Sequence, residues 1–182
     1  EIMFGLNMVV HKGKTIFVGD TSVHEYPTSE QMAEIAISTA RVVRLFGFEP
    51  KVAFVSHSTF GQPLTSRTKH IRNAVDLLKE KKVDFEFDGD MQPDVALNSE
   101  YEELYPFSKI VGKANILIMP GQHSAAISYK MMKTLGDTKV IGPLLIGIGL
   151  PIEIAPLRSS TSDLINLASI AAYSADIIDY KK

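Results

Sequence analysis

A short polar stretch in the first half of the chain carries three hydroxyl groups, a histidine and a glycine. Its candidate binding residues are Ser56, His57, Ser58, Thr59 and Gly61. The apolar residues just before it predict a buried strand over residues 52–56. In open α/β sheets, ligands bind at the carboxyl ends of strands, and the start of a following helix favours anions. The stretch therefore predicts a binding loop for a phosphate, a carboxylate or a phosphorylated cofactor, or else a connector whose hydroxyls cap the next helix.

A second polar stretch lies near the end of the chain. It begins at Arg158, continues through Ser159, Ser160 and two further hydroxyl residues, and ends at Asp163. A guanidinium beside hydroxyls at a helix start is suited to binding an anion. The alternative is a helix cap formed by Ser160 or Thr161, with Asp163 in the first turn of the helix.

The histidines and the other acidic residues give weaker indications. His57 and His123 each follow a predicted strand and are placed to act as an acid or as a donor to a phosphate. We expect His11, His24 and His70 to be solvated. No histidine has the spacing of a metal ligand, so no metal site is predicted. We expect the acidic residues of segment 88–94 to form a turn and to charge the start of a helix.

Composition narrows the class of protein. The chain has 182 residues, of which 45% are hydrophobic, and this suffices for one domain with a conventional core. A net charge of −2 argues against nucleic-acid binding, and the absence of cysteine excludes disulfides. No apolar run reaches the ~18 residues of a membrane span. We therefore expect a cytoplasmic protein with neither membrane nor nucleic acid as a partner, and the start at Glu1 suggests a piece of a longer polypeptide.

The elements that must position these residues alternate along the chain. Strands are predicted over residues 15–18, 52–56, 84–87, 114–119, 140–146 and 151–154. Helices are predicted from Thr28 to just before Gly47, and over residues 66–82, 93–104, 122–135 and 160–175. A capping box at Thr28 and Gln31 marks the first helix start, and Gly47 marks its end. The alternation predicts an α/β fold of three α/β/α layers around a mostly parallel sheet.

Eight motifs occur in an order that covers nearly the whole chain. They are Gly19-Asp-Thr21, Pro27-Thr-Ser-Glu-Gln-Met-Ala-Glu-Ile35, Phe46-Gly-Phe-Glu-Pro-Lys-Val-Ala53, Ser56-His-Ser-Thr-Phe-Gly61, Asp88-Gly-Asp-Met-Gln-Pro-Asp94, Val111-Gly-Lys-Ala-Asn115, Ile141-Gly-Pro143 and Asp163-Leu-Ile-Asn166. In this order they resemble the C-terminal portion of the phosphate acetyl/butyryl-transferase family. The resemblance is closest to the phosphotransacetylase-like C-terminal domain of bacterial NADP-dependent malic enzymes. It implies a phosphotransacetylase-like (isocitrate/isopropylmalate dehydrogenase-like) fold for residues 1–182, with further domains before them in the longer chain.

The same resemblance bears on the chemistry. Transferases of the family move an acetyl group between coenzyme A and phosphate, using a Ser, an Arg and an Asp six residues after that Arg. By position the Asp falls on Asp163, whereas the Arg falls on Leu157 and the Ser on Pro156, unless a one-residue gap brings in Arg158. A guanidinium lost from a developing charge costs on the order of 10²-fold in rate. We therefore expect transferase activity to be lost and acetyl-CoA binding to remain.

By resemblance, this chain is expected to bind acetyl-CoA as an allosteric effector and to support a homo-oligomer. The parent enzyme is expected to convert malate to pyruvate and CO₂ with NADP and Mg²⁺ or Mn²⁺, none of which would bind to this chain. An active phosphate acetyltransferase that uses Arg158 and Asp163 is the alternative. A purely structural oligomerisation module that has lost its ligand is a third interpretation.

Overall fold

The computed structural model describes residues 2–179, with side chains through residue 175. The ends of the expected domain, residue 1 and residues 180–182, lie outside it. The strands are β1 (Phe4–His11), β2 (Lys14–Gly19), β3 (Lys51–Val55), β4 (Glu86–Met91), β5 (Ile116–Ile118) and β6 (Thr138–Ile146). The helices are α1 (Ser29–Leu45), α2 (Ser66–Lys81), α3 (Pro93–Leu97), α4 (Gln122–Leu135) and α5 (Thr161–Asp179).

The strands form one sheet in the order β4-β3-β5-β2-β1-β6. Strand β1 pairs antiparallel with both of its neighbours, and the other pairs that the sheet contains are parallel. Helices α1, α2 and α5 pack on one face, where Met32, Ile71 and Leu167 join the buried cluster. Helices α3 and α4 pack on the other face through Ala96 and Ala125. The predicted three-layer fold with a mostly parallel sheet is confirmed.

Local signals set the helix boundaries. Thr28 accepts the backbone N–H of Gln31 at 3.2 Å, and the Gln31 side chain accepts the N–H of Thr28 at 2.8 Å. These two bonds satisfy N–H groups that the first turn leaves unpaired, so helix α1 begins where the capping box predicts. At its other end Gly47 adopts a left-handed φ of 83°, which closes the helix. Helix α4 covers the predicted residues 122–135.

The structure corrects the prediction in four places. Strand β1 was not predicted, and it joins β2 through a tight turn in which Lys12 and Gly13 both have positive φ. Strand β4 begins and ends later than residues 84–87. The helix predicted over residues 93–104 ends at Leu97, and a separate 3₁₀ turn, Ser99–Tyr101, follows after the extended residue Asn98. Of the strand predicted over residues 151–154, a single bridge between Glu153 and Leu144 is formed.

Candidate functional site

The loop after β3 is tied to the neighbouring strand β4. Ser58 and Thr59 are buried, and the Ser58 hydroxyl donates to the Asp90 carboxylate. The same carboxylate accepts the backbone N–H of Gly61 at 3.1 Å. Thr59 Oγ1 accepts the N–H of Gln92 at 3.2 Å. These bonds join the loop of one strand to the end of the next, and Asp90 is the centre of the junction.

The loop therefore uses its hydroxyls in a way that neither sequence interpretation described. They do not cap α2, because Thr65 does so, with its side chain accepting the N–H of Thr68 at 3.2 Å. Ser56 is also buried, and its hydroxyl oxygen accepts the N–H of Ser58 at 3.3 Å. His57 is the exposed member of the group. The loop thus presents the His57 side chain to solvent while its hydroxyls are directed inward.

The acidic residues expected in a turn lie inside strand β4 instead. Asp88 and Asp90 are buried within Glu86–Met91. Asp88 accepts the N–H of Gly89 at 2.9 Å and the N–H of Lys109 at 2.7 Å. Buried carboxylates need such donors, because an unpaired charge in the interior is costly. The two carboxylates therefore fasten loops to the sheet, and Asp94 alone lies in a helix's first turn.

A crevice opens at the carboxyl ends of the central strands. After β2 and β3 the chain turns to α1 and α2 on one face of the sheet, whereas after β5, which lies between them, it turns to α4 on the opposite face. Because the connections after neighbouring strands leave toward opposite faces of the sheet, a gap opens between them at the carboxyl ends of the strands. Ligands of open α/β sheets bind in gaps of this kind.

The side chains at this edge form a cavity of about 230 Å³. Its lining comprises Tyr26, Pro27, Ser66, Arg67, His70, Ile71 and Pro120. The guanidinium of Arg67 lies 5.8 Å from the centroid of the Tyr26 ring, a cation–π distance. Arg67 forms no ion pair with any residue that the structure describes. The cavity thus combines apolar walls with one available cation, which suits an anionic ligand that has an apolar portion.

Sequence reasoning missed this crevice. Its residues come from the loops after β2 and β5 and from the first turns of α2, and none of them belongs to either polar stretch. The available signal was Arg67, a cation in the first turn of a helix that follows a buried strand, directly after the capping residue Thr65 and Ser66. A cation in that position opposes the helix dipole, so it has a local cost that a bound anion would offset.

The loop after β2 is organised by Asp20. This buried carboxylate accepts the N–H groups of Val23 at 3.0 Å and His24 at 2.9 Å, and it also contacts Nδ1 of the His24 ring. The backbone carbonyl of His24 accepts the N–H of Gln122, at the start of α4, at 3.2 Å. Asp20 therefore fixes the wall of the crevice opposite α2.

The three histidines expected to be solvated are engaged in the protein. His24 is mostly buried against Asp20. His70 Nε2 lies 2.8 Å from the carbonyl oxygen of Pro27, and its Nδ1 lies 3.1 Å from Ser29 Oγ. That prediction was wrong for His24 and His70, because the loops around the crevice fold over them, and for the part-buried His11, because its Nδ1 lies 3.0 Å from Thr138 Oγ1 at the start of β6. His123, by contrast, forms an exposed contact of 3.3 Å with Glu25.

The second polar stretch forms a helix cap. The backbone N–H and the hydroxyl of Ser160 donate to the Asp163 carboxylate at 2.9 and 2.8 Å, and the N–H of Asp163 donates back to Ser160 Oγ at 3.2 Å. The hydrogen bond from the Ser160 N–H, with that from its hydroxyl, lowers the pKa of Asp163. Ser159 donates its hydroxyl to the carbonyl of Pro156 at 2.7 Å. Arg158 is exposed. The capping alternative is the one that the structure shows.

The two polar stretches do not meet. Ser162 accepts a hydrogen bond from Lys139, at the start of β6, at 3.2 Å. Strand β6 runs in the same direction as β2 and β3, so its start lies at the amino ends of those strands. The Ser56–Gly61 loop follows the carboxyl end of β3 and therefore lies at the opposite end of the strands. Strands β3 and β6 are also four positions apart in the sheet, which corresponds to about 19 Å at ~4.8 Å per strand. The cavity beside Arg158 measures about 70 Å³, room for a small ion or a few waters.

Comparison with known proteins settles the family. Residues 1–172 match the family model described as "Phosphate acetyl/butaryl transferase". The chain belongs to this family. It is 47% identical over 173 residues to the NADP-dependent malic enzyme of Rhizobium meliloti (strain 1021). The aligned residues cover 95% of this chain and 23% of that enzyme. It is 34% identical over 169 residues to the phosphate acetyltransferase of Bacillus subtilis (strain 168), which covers 92% of this chain and 52% of that enzyme.

Solved structures agree with these relationships. The EutD phosphotransacetylase from Staphylococcus aureus superposes with a TM-score of 0.88 at 29% identity, over 96% of this chain and 55% of that one. The chain therefore spans about a quarter of the malic enzyme's length and about half the length of the transferases. No helix in residues 2–179 is long and apolar enough to cross a membrane. In the same residues no group of three or more His, Cys, Asp or Glu side chains is arranged to hold a metal ion.

Proposed function

We propose that this chain is the regulatory domain of an NADP-dependent malic enzyme and binds acetyl-CoA as its effector. The parent would oxidise malate to pyruvate and CO₂ in the cytoplasm, with NADP and Mg²⁺ or Mn²⁺ bound outside this chain. Identity to the malic enzyme of R. meliloti, 47%, exceeds the 34% identity to the B. subtilis transferase. That difference supports the regulatory role over transfer chemistry.

One structural observation carries the proposal. The crevice at the carboxyl ends of the strands contains Arg67, which forms no ion pair with the described residues. The residues that the resemblance relates to transfer chemistry lie near the amino ends of the strands. Asp163 caps α5, and Leu157, at the position where the family's resemblance places an Arg, is fully exposed. A domain that has a binding crevice, and whose Asp163 is hydrogen-bonded by Ser160 and not by an arginine, is suited to binding rather than to acyl transfer.

Acetyl-CoA fits the crevice by chemistry. Its phosphates need a cation, which Arg67 supplies, and its pantetheine arm is long and partly apolar, like the walls formed by Pro27, Ile71 and Pro120. For acetyl-CoA to regulate the enzyme, it must bind one conformation of the parent more tightly than another. Binding at the crevice would favour the conformation in which the loops after β2, β3 and β5 are held together.

We also propose that the domain supports a homo-oligomer. Ile127, Met131 and Leu135 are spaced at i, i+4 and i+8 on α4 and are exposed. An exposed apolar stripe of this kind is typical of a protein–protein contact. Replacement of Met131 by Lys is expected to reduce the mass found by sedimentation of the full-length protein, with Lys130→Glu as the control on the same helix.

The test of regulation uses the full-length protein. Calorimetry is expected to detect acetyl-CoA binding, and saturating acetyl-CoA is expected to change malate kinetics. If acetyl-CoA does not bind and malate kinetics do not change, the proposal is contradicted. Formation of acetyl phosphate from acetyl-CoA and phosphate, at a rate typical of the transferases, would favour the alternative of an active transferase.

A further inference from the structure

His70 connects α2 to the start of α1 in the crevice. Its side chain lines the cavity together with Arg67, one turn earlier on the same helix. Nε2 of its ring lies 2.8 Å from the carbonyl oxygen of Pro27, and Nδ1 lies 3.1 Å from Oγ of Ser29. The Ser29 hydroxyl also donates to the backbone carbonyl of His70 at 2.8 Å. Both ring nitrogens therefore have a polar partner.

These three contacts need more hydrogens than a neutral ring provides. The carbonyl oxygens of Pro27 and His70 can only accept, so one contact uses a ring N–H and another uses the hydroxyl hydrogen of Ser29. The hydroxyl then has no second hydrogen for Nδ1 and can only accept from it. A neutral imidazole has one N–H, whereas the imidazolium has two. All three contacts are hydrogen bonds at once only when the ring of His70 carries the extra proton.

The charged groups around His70 act in opposite directions. On α1, the backbone N–H of Glu30 itself and the hydroxyl of Thr28 lower the pKa of Glu30, and the positive charge of His70 lowers it further. Glu30 is thus a nearby negative charge that favours the imidazolium. On α2, the guanidinium of Arg67 opposes a second positive charge in the same cavity. In the cavity lining, the loop after β2 contributes Tyr26 and the loop after β5 contributes a proline, so neither adds a charge.

An anion in the cavity would change this balance. Its negative charge would offset the repulsion between Arg67 and a protonated His70, so the anion and the proton would favour each other's binding. A ligand that prefers the protonated ring takes up a proton as it binds, and its affinity falls as the pH rises. A neutral ligand would leave the two positive charges without a partner. The arrangement therefore suits an anionic ligand whose binding is coupled to a proton.

We propose that the crevice binds its anionic ligand together with a proton on His70. The identity of the ligand as acetyl-CoA rests on the proposed function, whereas the proton site rests on the contacts of His70 alone. The protonated ring holds Pro27 and Ser29 against α2, so the proton also fixes one wall of the crevice. The effector therefore binds more tightly in acid than in alkaline solution.

The experiment measures the protons that accompany binding to the full-length protein. Titration calorimetry with acetyl-CoA at pH 7 and pH 8, in two buffers of different ionisation enthalpy, gives the number of protons taken up. His70→Gln keeps a donor for the Pro27 carbonyl but cannot take up a proton. His11→Gln is the matched control. His11 also lies beside a hydroxyl, Thr138 Oγ1 at 3.0 Å, but it is at the amino ends of β2 and β6, away from the crevice.

Proton uptake is expected to depend on His70 and not on His11. The wild type and His11→Gln should take up the same fraction of a proton, and His70→Gln should show only the protons that the ligand itself exchanges. We expect the affinity of the wild type to fall by about fivefold from pH 7 to pH 8, below the tenfold that a full proton would give. The fall should be smaller in His70→Gln, so that the two proteins converge as the pH rises.

Nitrogen-15 NMR of the ligand-free protein tests the proton site without a variant. Because hydrogen-bonded ring protons exchange slowly with water, His70 is expected to show two ring N–H signals at pH 6. One signal or none would overturn the proton site.

The calorimetric outcomes separate the coupling from the proposed function. Acetyl-CoA binding with equal proton uptake in the wild type and His70→Gln would overturn the coupling and leave the regulatory proposal standing. If the wild type does not bind acetyl-CoA, the proposed function and the coupling both fail, and the two ring signals alone decide whether His70 holds a proton.

Discussion

The two polar loops of this chain are similar in composition and opposite in use. The loop after β3 turns Ser58 and Thr59 inward, where Asp90 and the backbone of Gln92 bind them. The loop before α5 turns Ser160 onto its own helix, where it exchanges hydrogen bonds with Asp163. The first loop connects elements 32 residues apart in sequence, and the second satisfies a local need three residues away.

The difference lies in what stands beside each loop. Parallel pairing of β3 with β4 brings a buried carboxylate to the first loop, and a carboxylate in that position recruits every donor within reach. The second loop lies beside the start of β6, which presents the amine of Lys139 to Ser162 and not a carboxylate, and the Ser160 hydroxyl pairs within the first turn of α5. The number of hydroxyls in a loop therefore does not indicate whether it binds a ligand. A buried hydrogen-bond partner decides whether each hydroxyl points inward or toward a ligand.

The strongest test of this comparison removes the buried carboxylate. Asp90→Ala leaves the Ser58 hydroxyl and the Gly61 N–H without their acceptor in a buried site. We expect the free energy of unfolding to fall by about 3 kcal/mol, because hydrogen bonds to a charged group contribute more than neutral ones and the donors are left unpaired. Urea unfolding measures this loss. Asp94→Ala, in the first turn of α3, is the control and should cost less than about 1 kcal/mol; equal costs would mean that Asp90 does not hold the loop.

The next test removes the charge of one arginine near each loop and compares the effects on binding. Arg67→Gln is expected to weaken acetyl-CoA binding by about tenfold, since it removes the available cation of the crevice and a charge-assisted contact is worth roughly 1.5–3 kcal/mol. Arg158→Gln, which replaces another exposed arginine at the opposite ends of the strands, is expected to leave the affinity unchanged. Calorimetry on the full-length protein decides between them. The reverse pattern would move the binding site to the second loop.

The fold was predictable where its causes are local. The capping box of Thr28 and Gln31 and the glycine at position 136 predicted helix boundaries within a residue, since both act through neighbouring backbone groups. Strand β1 was not predictable in this way. Gly5 and Asn7 interrupt its apolar pattern, and although β2 follows it directly, its second partner β6 lies about 130 residues later in the chain. Pairing over such a separation is decided by the whole sheet and not by the segment.

The candidate site was predictable only in its position. The rule that ligands bind at carboxyl ends of strands predicts the loop after β3, which lies at the same ends of the strands as the crevice. It could not show that Ser58 would face inward, because that depends on Asp90. It also could not bring Tyr26, Arg67 and Pro120 together, because they come from segments after three strands whose order in the sheet differs from their order in the sequence.

A pH test addresses the strap, residues 147–157, which connects β6 to the second loop. Burial in an apolar pocket raises the pKa of Glu153 to about 7, and its Oε2 atom has no hydrogen-bond partner among the described residues. Because the folded-state pKa lies above the unfolded value, the stabilising effect of the protonated form is complete below about pH 4.5 and is lost as the pH rises through 7. Glu153→Gln is therefore expected to match the wild type at pH 5 and to be about 1 kcal/mol more stable at pH 8, a figure reduced because the residue is only half-buried.

Urea unfolding at the two pH values measures this effect, with the exposed Glu103→Gln as the control. The strap joins β6 through the bridge between Leu144 and Glu153, so a charged Glu153 weakens the contact that positions the residues before Arg158. If Glu153→Gln shows the same pH dependence as the wild type, then the second loop is anchored elsewhere, and its distance from the crevice must have another cause.

The smallest expected effect distinguishes a cap from a binding loop most directly. Ser160→Ala removes the hydroxyl that exchanges hydrogen bonds with Asp163, and it should cost about 1 kcal/mol of stability or less, as for other exposed N-caps. Amide hydrogen exchange in the first turn of α5 should accelerate, whereas acetyl-CoA affinity should not change. Because hydrogen bonds lower the pKa of Asp163, the capping contribution is present at neutral pH and is lost as the pH falls through the folded-state pKa, so variant and wild type should converge in acid. A loss of ligand affinity in Ser160→Ala, with unchanged exchange in α5, would instead make this loop part of the binding site and remove the contrast with the loop after β3.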